Sequence, residues 1–149
     1  WLSPVFLHFS FVHLAFNCVI LLEFGRRIER AIGSGRFAML FVFTGVVGNL
    51  AQYLIGNSIL FGGLSGVGYG LLGFILVMAR RRPGQPHWRA APGNALRLLG
   101  VPGGVPTCLA QAVGLPVANS AHWAGLLAGM AGAVFASRRT AQEIDDATS

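Results

Sequence analysis

The chain contains no lysine and only five acidic residues among 149. Charged side chains make up 11% of it, where a soluble domain usually carries about 25%. That shortage argues against an ordinary water-facing surface. Cysteine is equally scarce. Cys18 and Cys108 both lie in apolar stretches, without the spacing of a disulfide framework or a metal site. The glycine-rich stretch before Ser65 has no lysine, which excludes a phosphate-binding P-loop. No H-E-x-x-H zinc pattern occurs. No signal peptide is visible, and the first residue is Trp1 rather than Met, as expected of a fragment or a processed form.

Apolar residues fill 54% of the chain, and 21 residues are glycine. This combination points to a membrane-embedded helix bundle, in which small residues let helices approach closely. The net charge of +6 could suggest nucleic acid, but its distribution argues against that partner. The arginines fall in three clusters: Arg26, Arg27, Arg30 and Arg36; then Arg80, Arg81, Arg82, Arg89 and Arg97; then Arg138 and Arg139. Long apolar stretches separate them.

Five apolar runs cover about 10–25, 37–55, 64–79, 94–115 and 121–137. Crossing a bilayer takes about 20 helical residues. The third run is shorter, at roughly 24 Å by helical rise. The fourth contains Pro102 and Pro106, which remove backbone donors and clash with the preceding turn, so a broken or kinked span is expected there. If all five cross, every arginine cluster falls on one side. The opposite loops, around 56–63 and 116–120, carry no Lys or Arg. By the positive-inside rule the arginine side is cytoplasmic. The expected organisation is a transmembrane domain over 1–137 and a flexible cytoplasmic tail over 138–149.

Polar side chains inside spans are expensive and usually functional. His13 and Asn17 are four apart, on one helix face. Ser65 opens the third run, with Tyr69 one turn below it. His122 opens the fifth. Loop alternation places all five in the outer half of the membrane. Gly125 and Gly129 form a small-xxx-small pair near the His122 stripe, and Gly73 lies on the serine helix, so the two helices could approach closely. Each residue also has a plainer reading. Ser65 could be a helix cap, His122 an interhelical hydrogen-bonding group, His13 with Asn17 a polar clamp, and Tyr69 an interfacial anchor. His8, His13 and His122 could together hold haem or a metal. The chemical reading pairs Ser65, as nucleophile, with His122, as base. No carboxylate lies near enough to complete a triad, because Glu23 is about two turns deeper and Glu29 is on the inner side. "GLSGV" departs from the G-x-S-x-G elbow at Val67.

Three stretches, "HFSFVHLAFN" (8–17), "GGLSGVGYGLLG" (62–73) and "ANSAHWAGLLAG" (118–129), with "ERAIGSGRF" (29–37), together resemble the rhomboid family of intramembrane serine proteases. The resemblance covers roughly 6–81 and 117–137. It implies an all-α, polytopic transmembrane helix bundle of six helices, of which about five spans are expected here, the family's first helix and its long outer loop being missing. Ser65 matches the nucleophile and His122 the general base. His13 and Asn17 match side chains that help hold the oxyanion. Gly63 lies in the loop before the nucleophile, Tyr69 matches the aromatic packed against the catalytic histidine, and His8 matches a histidine that supports the loop before the second helix. The proline-broken fourth run falls on the helix the family uses beside the substrate entrance. The activity implied is cleavage of transmembrane protein substrates near the outer, non-cytoplasmic face of the cell membrane by a Ser-His dyad. Neither a cofactor nor a metal is expected, and the partners implied are those substrates and the lipid bilayer. The alternative is a rhomboid-like protein that binds membrane clients without cutting them.

Overall fold

A computed structural model describes residues 1–8, 10–56, 62–88 and 119–148, with side chains on the last helix through Arg138. Among the described residues every regular element is helical. A 3₁₀ turn, Ser3–Phe6, is followed by α1, Phe11–Ile20. A π-helical turn, Leu21–Gly25, leads without a break into α2, Arg26–Ile32. The remaining helices are α3 (Ser34–Ile55), α4 (Ser65–Arg81) and α5 (Asn119–Thr148), with a 3₁₀ turn at Pro86–Trp88. The fourth apolar run, with Pro102 and Pro106, lies outside the described residues.

Local chemistry sets the boundaries. Ser10 caps α1: its Oγ accepts the His13 backbone N–H at 3.1 Å, satisfying a donor with no intrahelical partner. Gly33 ends α2 at φ +83°, a region open to glycine at little steric cost, and the chain turns there into α3. With 22 residues, α3 is the one described helix that is long and apolar enough to cross a bilayer by itself. The helical backbone of α5 continues to Thr148, past the boundary at 138 where composition suggested a flexible tail. The stretch "TAQEIDDA" holds two Ala, one Gln and one Glu, which favour helix, and it extends an existing helix without a new nucleation cost.

α4 is the centre of the bundle. Every residue from Gly66 to Ile75 is buried, and Val67, Leu71, Phe74 and Ile75 are at most 1% exposed. It packs chiefly on α5, then on α3 and the π-helical turn. The exterior is apolar in turn. Phe11, Val12, Met39, Leu127 and Phe135 are all more than 60% exposed, and an open groove along α3 is lined by Ala38, Met39, Val42, Phe43 and Val46. Such a surface would be a liability in water but is suited to lipid.

Glycines set the closest approaches. A Cβ at Gly125 would collide with the Gly66 carbonyl, one at Gly129 with the Gly70 carbonyl, and one at Gly73 with the Leu126 carbonyl. The pairing 66–125 and 70–129 means α4 and α5 run in the same direction. Against α1, Gly63 lies beside His13 and Gly68 beside Ile20, so α1 is parallel as well. α3 is antiparallel: Gly48 meets Ala121, Gly45 meets Val67, and Leu40 meets Gly132. The N-terminal ends of α1, α4 and α5 thus share one end of the bundle. Polar ties reinforce it. Asn49 Nδ2 donates to the Trp1 carbonyl at 2.7 Å, and Gln52 Oε1 accepts the Ala121 N–H at 3.4 Å.

Candidate active site

Ser65 is the first residue of α4, half-buried, with Leu64 at the cap position. Its hydroxyl does not cap the helix but lies 2.8 Å from His122 Nε2, on α5. The two residues are 57 positions apart in sequence. The packing of α4 on α5 through Gly66, Gly70, Gly125 and Gly129 holds these helix ends together. His122 is only 7% exposed. Its ring is stacked on Tyr69, with centroids 4.5 Å apart and planes inclined by 26°. Tyr69 fixes the ring plane, and the hydroxyl sits at one in-plane edge.

The other edge is unusual. His122 Nδ1 is closed to solvent and has no hydrogen-bond partner, and among the described residues no carboxylate pairs with it. Glu23 is paired with Arg27, and Glu29 accepts from Ser34 Oγ at 2.8 Å; both belong to the segment below α1. Among the described residues, no acidic side chain pairs with the serine–histidine contact.

α1 supplies the opposite wall. Asn17 is 2% exposed, and its Nδ2 is buried with no partner. Buried amide donors are almost always satisfied, so this free Nδ2, beside Gly63 in the loop before Ser65, is unusual. His13, one turn earlier and half-buried, turns its Cε1–Nε2 edge toward Gly63. His8 lies 5.3 Å from His13, ring centroid to ring centroid, and its Nδ1 is 3.2 Å from the Phe6 carbonyl of its own loop.

Gly63 joins these parts. Its N–H donates to the Pro4 carbonyl at 2.8 Å, fixing the loop before Ser65 to the N-terminal 3₁₀ turn. Its φ is +115°, and a Cβ there would lie 2.6 Å from His13 Cε1 and 3.5 Å from Asn17 Nδ2. Any side chain at 63 must displace His13. Gly63→Ala is expected to cost about 1–3 kcal/mol in backbone strain alone. Thermal unfolding in detergent should register that loss, and an unchanged midpoint would show that the loop relaxes freely.

Of the residues singled out in sequence, Ser65, His122 and Tyr69 form one contact set, and His13, Asn17 and Gly63 a second beside it, with His8 behind His13. Three or more His, Cys, Asp or Glu side chains placed to hold a metal are not found among the described residues. The glycines facing Gly125 and Gly129 are Gly66 and Gly70, whereas Gly73 faces Leu126. The Gly66-xxx-Gly70 spacing on α4 was the available signal for this.

The bundle and this pair define a class: a helical membrane protein carrying a serine–histidine site at one end of its core. A family model described as the rhomboid domain matches residues 1–139, and the chain belongs to the rhomboid family. Among curated relatives, the rhomboid protease GlpG of Serratia proteamaculans (strain 568) is 34% identical over 141 residues, covering 95% of this chain and 49% of the relative. The rhomboid protease GlpG of Yersinia pseudotuberculosis serotype I (strain IP32953) is 32% identical over 146 residues, covering 97% and 50%. That of Photorhabdus laumondii subsp. laumondii is 31% identical over 144 residues, covering 94% and 48%. The chain spans about half the length of the curated relatives it matches.

Proposed function

We propose that this protein is an intramembrane serine endopeptidase that cuts transmembrane protein substrates with Ser65 as nucleophile and His122 as general base. The observation that carries the reading is the 2.8 Å contact between Ser65 Oγ and His122 Nε2, at the shared end of three helices. With its proton on Nδ1, the imidazole accepts the Ser65 O–H at Nε2. Attack of Oγ on a substrate carbonyl carbon transfers that proton to Nε2 and forms a tetrahedral oxyanion. The unpartnered Asn17 Nδ2, the His13 ring and the Ser65 backbone N–H are the donors for it. Collapse breaks the C–N bond, and the imidazolium returns its proton to the leaving amine. Water then attacks the acyl-serine, with His122 again acting as base, and frees the acid product.

The side of the membrane follows from charge. Arg80, Arg81 and Arg82 end α4, and Arg26, Arg27 and Arg30 lie on α2, at the opposite end of the bundle from Ser65. The positive-inside rule makes that end cytoplasmic, so the site opens to the non-cytoplasmic side.

Reconstituted in liposomes with a single-span model substrate, the protein is expected to produce two fragments, cut near the outer membrane surface. Ser65→Ala should produce none. Cleavage that survives Ser65→Ala would end the proposal, and substrate binding without cleavage by the wild type would favour the client-binding alternative. Asn17→Ala is expected to lower kcat by about 10²–10³-fold, as loss of one oxyanion donor does elsewhere, with little change in KM. An effect confined to KM would place Asn17 in substrate binding instead.

A further inference from the structure

We propose that Asn119 is a positioning residue for His122: its side-chain oxygen accepts the Nδ1–H of the imidazole, in the place an aspartate fills in a triad. This deepens the serine hydrolase reading above and rests on it. When Nε2 accepts from Ser65, the ring proton sits on Nδ1, which is then a donor. Nδ1 is closed to solvent and unpartnered, and its need for an acceptor grows when the ring becomes an imidazolium. Asn119 Oδ1 is also buried and unpartnered, and it is an acceptor. It lies three positions before His122, in the first turn of the same helix. Side chains three apart on a helix are neighbours, about 5–6 Å between Cβ atoms. Two orphan atoms of opposite role thus belong to neighbouring side chains on one turn of α5.

Other groups around the ring are engaged differently. Tyr69 lies against its face, so it cannot meet an in-plane N–H. Ser65 occupies the Nε2 edge. Gln52 Oε1, from α3, is taken by the Ala121 N–H. Among the described residues, Asn119 Oδ1 is the buried side-chain oxygen without a partner. An amide oxygen does not take the proton. It holds the ring in the tautomer with Nε2 open to the hydroxyl, and it stabilises the charged ring through a hydrogen bond.

A merely structural role for Asn119 is as a small polar residue in the first turn of α5, and the variants separate the two. Serine keeps a small polar side chain at the helix start but is too short to reach the ring. Aspartate keeps the acceptor and suits the first turn of a helix. Asn119→Ala and Asn119→Ser are both expected to lower kcat by about 10–100-fold at unchanged KM. Asn119→Ser should keep the wild-type thermal midpoint, and Asn119→Asp should restore most of kcat. The inference is overturned if Asn119→Ser recovers full kcat, if kcat losses simply follow the midpoint, or if Asn119→Asp falls with the other two. Loss of Ser65-dependent cleavage in the wild type itself would instead remove the hydrolase reading beneath it, which makes the two failures distinguishable.

Discussion

Replacing His122 with alanine is expected to lower cleavage by about 10²–10⁴-fold, the usual contribution of a positioned general base. The reason is local. A serine hydroxyl is a weak nucleophile unless a neighbour takes its proton, and among the described residues the group bonded to Ser65 Oγ is His122 Nε2. Ser65→Ala should be at least as severe, because it removes the attacking atom. Losses of residues that act as a unit do not add, so the double variant should be no worse than Ser65→Ala alone. Measured rates that multiplied across the two single variants would show that they act in separate steps. Ser65→Ala removes one half-buried oxygen and should leave the thermal midpoint nearly unchanged, which keeps the kinetic result free of folding effects.

The second large effect is expected far from the reacting atoms. At Gly129 even a methyl group would run into the Gly70 carbonyl, and the same holds for Gly125 and Gly66. α4 and α5 are in backbone contact there, so the collision cannot be relieved by turning a side chain. Gly129→Leu must push the helices apart, at about 3 kcal/mol, the upper end of the usual range for overpacked cores. Because His122 rides on α5 and Ser65 on α4, separation also lengthens their 2.8 Å contact. A misplacement of about 1 Å can cost about 10²-fold in rate. Gly129→Leu should therefore lower both the thermal midpoint and kcat. Leu127→Ala, nearby on α5 and 61% exposed, should change neither by much. Equal tolerance of the two substitutions would show that the helix contact is loose.

Much of the site was legible because it is written in spacing. His13 and Asn17, four apart, had to share a face, and Ser65 with Tyr69 likewise. The arginine clusters marked one end of every apolar run and so placed the polar residues together at the other. The Gly125 and Gly129 pair announced a close helix contact. Its partner was harder to see: Gly66, Gly68, Gly70 and Gly73 crowd one helix, and only the crossing of α4 with α5 selects Gly66 and Gly70 from them. The π-helical turn at Leu21–Gly25 has no sequence marker; it packs against α4, and its Gly25 abuts Phe37. Gly63 was legible as a loop glycine, but not as the point where the backbone abuts His13, which depends on a loop fixed to Pro4 from the far N-terminus. Asn119 stood inside a quoted motif without being singled out. Its meaning depends on a neighbour's empty ring nitrogen, which spacing does not reveal.

A fluorophosphonate reacts only with a serine whose proton has somewhere to go. Mapping of the adduct by mass spectrometry, on the intact protein in lipid, therefore asks whether Ser65 and His122 act as one unit. The expected result is a single adduct on Ser65, formed at least about 100-fold more slowly in His122→Ala. An adduct on another residue, or on Ser65 at an unchanged rate without His122, would contradict the assignment.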